Sequence, residues 1–193
     1  MKLRHVALLF IALLVACTPA PGVLDPDEAS LRDDAPWQLS ILYTNDEHGW
    51  MAQTEESGGA AGMMHRWRQD EGYTEDGAFL VLSGGDTFTG PALATWFDGR
   101  SMIEVMNAMG YDAAAVGNHE FDFGVDGLAD RAAEAEFPFL AANVKPTTPG
   151  HPFEAVALPY IVQEVGGLPG GATVSVGIIG LASIRTPKTT MPT

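Results

Sequence analysis

Short apolar runs alternate with stretches of helical period from residue 39 onward. Leu39–Thr44 reads as a strand that opens into the polar turn Asn45-Asp46-Glu47-His48-Gly49. Gly58-Gly59 leads into a helix over Ala60–Gln69, with Met63, Met64 and Trp67 at helical spacing. Ala78–Leu82 is nearly all apolar, as a strand buried on both faces must be, and opens into Ser83-Gly84-Gly85-Asp86. Ser101–Met109 predicts a helix with Met102, Val105, Met106 and Met109 on one face and its end at Gly110. Ala113–Val116 is a third strand, opening into Gly117–Gly124. Val125–Glu136 predicts a helix ended by Pro138, and Phe139–Val144 a further strand. Tyr160–Val165 and Thr173–Leu181 form a β-pair around the glycine-rich turn Gly166–Gly171. Such alternation indicates an α/β fold on a parallel sheet covered on both faces. The methionine stripe at Met102, Met106 and Met109 is core filling in this scheme rather than a cofactor contact.

In parallel α/β sheets ligands bind beyond the carboxyl ends of the strands. Each of the first three predicted strands is followed there by a polar cluster: Asp46-Glu47-His48, Gly84-Gly85-Asp86, and Asn118-His119. Neighbouring strands lie about 4.8 Å apart, so three strand ends fit within a patch roughly 10 Å across. Two cations about 3.5–4 Å apart fit that patch. Asp46 and His48 flank one residue and, in an extended turn, point the same way toward one ion. Asp86 can bridge two ions, with glycines before it that let the backbone approach closely. Asn118 adds a neutral oxygen. This mixed set suits Zn, Mn, Co or Fe rather than calcium. Asp122 lies three residues after His119 and can receive its N–H, which orients the ring and favours the cation. An imidazolium beside metal ions would stabilise charge on a phosphoryl group. Taken singly, these clusters have plainer readings: a chance loop, a turn, and a helix cap at Asn118 or Asp122. His65 and His151 read as surface and loop residues, and Glu120 and Phe121 as setting the turn.

The N-terminus adds a location. Lys2 and Arg4 precede the apolar run Val6–Ala16, which is shorter than the about 20 residues a spanning helix needs. Residues 1–16 suit a secretory signal. The run ends Leu14-Val15-Ala16-Cys17, resembling the bacterial lipobox, which predicts lipidation of Cys17 and a membrane anchor on the periplasmic or outer-membrane face. Residues 17–36, rich in Pro, Asp and Ala, read as a flexible tether. Residues 37–193 form the globular part. Cys17 is the only cysteine, so no intramolecular disulfide holds the fold. The net charge of −15 argues against a nucleic-acid surface. A phosphate substrate is still compatible, since surface charge is screened over about 8 Å and bound cations dominate locally.

Leu42–Gly49, Gly58-Gly59-Ala60-Ala61, Ser83–Asp86, Met106–Asp112, Gly117–Gly124 and Phe137–Val144 together resemble the bacterial 5′-nucleotidase / UDP-sugar hydrolase family of calcineurin-like metallophosphoesterases. The resemblance runs from Trp37 to about Pro187. It implies a four-layer α/β sandwich with two divalent metal ions that hydrolyses a small-molecule phosphate ester, foremost a nucleotide. It further implies that Asp46 and His48 bind one metal, that Asp86 bridges both and that Asn118 binds the second. His119 and Asp122 would be the catalytic pair, and a metal-activated hydroxide the nucleophile. The family completes its centre with later histidines, in Gly-His and Gly-His-x-His motifs. After His119 this sequence has only His151. The chain is therefore expected to be the N-terminal part of a longer protein, truncated after the first half of the sandwich and weakly active or inactive alone. The alternatives are a non-catalytic surface lipoprotein keeping the half-fold as a binding module, and a related thiosulfohydrolase or cyclic-nucleotide phosphodiesterase.

Overall fold

The computed structural model describes residues 37–55 and 58–190. The signal 1–16, Cys17 and the tether 17–36 lie outside the described residues. Five strands, β1 (Ser40–Thr44), β2 (Phe79–Ser83), β3 (Ala113–Ala115), β4 (Phe139–Leu140) and β5 (Ala157–Leu158), form one parallel sheet in sequential order. Successive side chains of a strand point to opposite faces, and two separate cores follow from that. Val81, Ala114 and Phe139 face the helices α1 (Gly59–Gln69), α3 (Arg100–Met109) and α4 (Gly124–Glu134). Leu80, Leu82, Ala113 and Leu140 face the antiparallel pair β6 (Tyr160–Val165) and β7 (Val174–Ile179), through Val165 and Val176. The described residues thus build helix, parallel sheet and two-stranded sheet as stacked layers; a fourth layer is not among them. An apolar cleft of about 190 Å³ remains between the two sheets, lined by Tyr43, Leu82, Ala113 and Ile178 among others.

The helix over 100–109 forms as its pattern predicts. Met102, Ile103, Met106 and Met109 are buried, and Gly110 closes the helix at φ 73°, ψ 43° with its N–H on the Met106 and Asn107 carbonyls. Glycine takes that left-handed cap with the least strain.

Structure and sequence pattern part most at three places. The strand expected over 139–144 stops at Leu140, because the chain beyond it becomes a junction. Ala142 N–H donates to the Gly180 carbonyl at 2.8 Å, and the Asn143 side chain bonds both the N–H and the carbonyl of Ala182. The helix expected to Glu136 ends at Glu134, where Ala135 turns extended and the Glu136 N–H goes to the Asn107 side chain. A short helix α2 (Ala92–Trp96) has no counterpart in the pattern, since it buries only Ala94 and exposes Leu93 and Trp96. A last short helix, α5 (Thr186–Thr189), follows β7. Among the described residues no helix is long and apolar enough to cross a membrane.

Candidate metal centre

The loops after β1 and β2 are zipped together by continuing the sheet's ladder past the strand ends. Gly84 N–H donates to the Thr44 carbonyl, Asp46 N–H to Gly85, His48 N–H to Asp86 and Gly49 N–H to Thr87, at 2.8–3.0 Å. This backbone pairing puts Asp46, His48 and Asp86 together, each with one ligand atom within 4.8 Å of the others. The expected extended turn is corrected. Asp46, His48 and Asp86 lie at φ 54°, 45° and 60°, and Asp98 is the one further non-glycine residue with positive φ among the described residues. Left-handed backbone at a non-glycine residue is uncommon and costs of order 1–3 kcal/mol, and it concentrates where function fixes the geometry.

The imidazole of His48 has a defined tautomer. Its Nδ1 lies 3.2 Å from the Thr89 carbonyl, which can only accept, so Nδ1 carries the proton. Nε2 is the nitrogen left facing Asp46 Oδ1, 3.7 Å away. A second-sphere carbonyl that sets ring orientation in this way is the usual support of a metal-ligating histidine.

The third loop, after β3, is attached through Glu120, which is wholly buried. Its Oε2 accepts from Asp86 N–H at 2.9 Å and Gly117 N–H at 2.7 Å, and its Oε1 accepts from the Thr87 N–H at 2.7 Å and hydroxyl at 2.9 Å. Burial pushes its carboxyl up against these donors, with the Asp86 charge adding to the rise. The expectation that Glu120 sets the turn understates it: one carboxylate joins the second and third loops. His119 N–H also donates to Asp86 Oδ1 at 2.9 Å. A Cβ at Gly117 would lie 2.3 Å from that same oxygen, so only glycine lets the loop come this close. Asn118 opens a 3₁₀ turn over His119–Phe121 without making a side-chain cap; its amide donates instead to the Thr189 carbonyl at 3.2 Å.

His119 and Asp122 meet as the spacing predicts, Nδ1 to Oδ2 at 2.6 Å. Burial lowers the pKa of His119, but the Asp122 hydrogen bond and charge, with Asp86 and Glu120, outweigh it and the net direction is up. Burial works to raise Asp122, and its bonds to His119, Thr89 and Thr190 bring it down overall. The two imidazoles, His48 and His119, sit edge to face with centroids 4.8 Å apart.

The hydroxyls of Thr89 and Thr190, which reach Asp122 Oδ2 and Oδ1, carry no signal in the sequence beyond following Asp86 and closing the segment after β7. Glu47 is also unexpected: both its carboxylate oxygens are buried without a hydrogen bond of normal geometry among the described residues. Burial pushes its pKa up. Among the described residues the two remaining histidines stand apart, His65 exposed on α1 and His151 accepting from Phe153 N–H at 3.2 Å.

With this geometry the chain can be set beside known proteins. No family model matches it. The 5′-nucleotidase of Bos taurus is 37% identical over an alignment covering 92% of this chain and 32% of the bovine protein. The 5′-nucleotidase precursor of Thermus thermophilus superposes with a TM-score of 0.66 at 30% identity, over 79% of this chain and 30% of that one. The chain is a homologue of the 5′-nucleotidases. The calcineurin-like phosphoesterase YfkN of Bacillus subtilis, with a TM-score of 0.60 and 29% identity, covers 78% of this chain and half of its own. The fold is therefore that of the calcineurin-like phosphoesterases. The homologue spans about a third of the length of the curated 5′-nucleotidases it matches, at 32% of the bovine and human proteins.

Proposed function

We propose that this 5′-nucleotidase homologue is a metal-dependent phosphoric ester hydrolase whose substrates are nucleotides. The observation that carries it is the convergence of Asp46, His48 and Asp86 on three left-handed backbone positions, ligand atoms within 4.8 Å. These residues fit a divalent ion. Two carboxylates supply charge, His48 offers Nε2 while the Thr89 carbonyl holds its Nδ1, and backbone hydrogen bonds tie the first two loops together. Asp46 and His48 would hold one ion, Asp86 would be shared, and Asn118 would serve a second. The nitrogen and oxygen donors suit Zn, Mn, Co or Fe. Such ions, when bound, supply a nucleophilic water at neutral pH and offset phosphate charge.

His119 serves the other side of the reaction. Asp122 holds the Nδ1 proton, so Nε2 is the atom left to meet the substrate. A pKa moved upward favours the imidazolium, which stabilises charge growing on phosphoryl oxygens and can pass its Nε2 proton to the leaving oxygen. Four protein ligands shared between two ions leave each ion largely hydrated. Turnover by this chain alone is therefore expected to be slow.

Calorimetry with Mn²⁺, Co²⁺ and Zn²⁺ on the full chain, beside phosphate release from AMP, tests this. Metal binding with slow metal-dependent release above the Asp86→Ala background is the expected result. Absence of binding by every ion refutes the centre, and binding with no release favours a non-catalytic binding module. Export and lipid anchoring at Cys17 belong to the same proposal; fatty-acid labelling lost in Cys17→Ser is the expected outcome.

A further inference from the structure

We propose that Thr89 is the positioning residue of this centre, its hydroxyl aiming His119 and its carbonyl aiming His48. This rests on the hydrolase reading above for the roles of the two rings, but its geometry does not. Thr89 follows Asp86 by three residues on the second loop. Its Oγ1 lies 3.0 Å from Asp122 Oδ2 and 3.1 Å from His119 Nδ1, while its backbone oxygen lies 3.2 Å from His48 Nδ1.

The protons can be assigned from these contacts. A carboxylate only accepts, so the single Thr89 hydroxyl proton goes to Asp122 Oδ2. Its lone pairs then face His119 Nδ1–H, which is shared between Oδ2 at 2.6 Å and Oγ1 at 3.1 Å. Oγ1, Oδ2 and Nδ1 close a triangle, and the His119 ring cannot turn without opening two of its sides. The carbonyl of the same residue fixes the proton of His48 on Nδ1 and leaves Nε2 for an ion. The loop has no room to drift: a Cβ on the next residue, Gly90, would lie 1.6 Å from the His48 carbonyl oxygen. One residue thus couples the metal-holding ring to the proton-holding ring, whose centroids are 4.8 Å apart.

The test separates hydroxyl from carbonyl. Thr89→Val keeps the shape and the carbonyl and removes the hydroxyl; Thr89→Ser restores it. In the metal-free full chain labelled with ¹⁵N-histidine, the Nδ1–H resonance of His119 is expected unchanged between wild type and T89S, and shifted with faster water exchange in T89V, where Asp122 Oδ2 alone still accepts it. The His48 resonance should persist in all three. With Mn²⁺, T89V should keep wild-type metal affinity while AMP hydrolysis falls about 10–100-fold, the range for removing an outer-sphere partner. That loss should lie in kcat rather than KM. An unchanged His119 resonance in T89V overturns the proposal. So does loss of metal binding together with that resonance, which would make Thr89 a structural member of its loop. Thr89→Ala, read in the same way, decides the matter if the valine variant fails to fold. A wild type that releases no phosphate sinks the hydrolase reading, and the ring resonances alone then decide the role of Thr89.

Discussion

Glu120→Gln is the sharpest perturbation available, because one buried side chain there receives four donors and an amide can serve only some of them. The glutamine oxygen can replace Oε2 and keep Asp86 N–H and Gly117 N–H. Its NH₂ then faces the Thr87 N–H and hydroxyl. The hydroxyl can rotate to accept, but the Thr87 N–H is left against another donor. An orphaned buried donor costs about 1–3 kcal/mol, and the two bonds that survive each lose about 1 kcal/mol of charge assistance. Replacing a buried charge by a neutral group offsets part of this, which leaves a net loss of roughly 2–4 kcal/mol. For a chain of this size each kcal/mol shifts Tm by about 2–4 °C, so melting should fall by roughly 4–16 °C. Thermal unfolding with EDTA present, followed by circular dichroism, measures it. The two loops joined by Glu120 carry Asp86 and Asn118, so metal affinity should fall as well, by about 10–100-fold. A variant that melts within about 2 °C of wild type and binds metal equally well would refute the reasoning. Glu120 would then hold a proton in the folded chain and gain nothing from its charge.

Asp86→Ala should lose metal binding and turnover together, whereas His119→Ala should retain metal by calorimetry and lose phosphate release; metal loss in the second variant would contradict its role. Gly90→Ala must push a Cβ against the His48 carbonyl at 1.6 Å, so it should cost about 1–3 kcal/mol in urea unfolding and displace His48 from its ligand position. Burial raises the pKa of Asp112, while the Val81 N–H at 2.8 Å pulls it down. A carboxyl raised in the folded state binds its proton there more readily than in the unfolded chain. Stability from this group is therefore present below the unfolded value of about 3.9 and lost as pH rises toward the folded one. Asp112→Asn keeps an acceptor for Val81 and should flatten that fall in denaturant titrations above pH 4; curves parallel to wild type would count against it.

The central sheet and its three ligand loops are legible in the sequence because apolar runs end abruptly in polar ones at Thr44, Ser83 and Val116. The helix at 100–109 is legible for the same reason, its methionines sharing one face up to Gly110. Less visible is whatever depends on pairing across the chain. β5 is two residues long and is recruited by β4 rather than by its own pattern. α2 exposes its large apolar residues, so no buried stripe announces it. In the candidate centre, Asp46, His48, Asp86 and the His119–Asp122 pair follow from spacing. Glu120 and Thr89 do not, since what they do is set by loops more than 30 residues distant. A buried glutamate in a polar loop looks the same in sequence as a solvated one.

The left-handed backbone at Asp46 and Asp86 bears on how this protein could lose its chemistry. Asparagine and glycine take that conformation at least as readily as aspartate. A single substitution of that kind would discard a carboxylate and leave the loop's shape as it was. A descendant that had stopped binding metal would still superpose on its working ancestors. Comparison of backbones would pass it as an enzyme, and only the side chains at two positions would show that it had fallen silent.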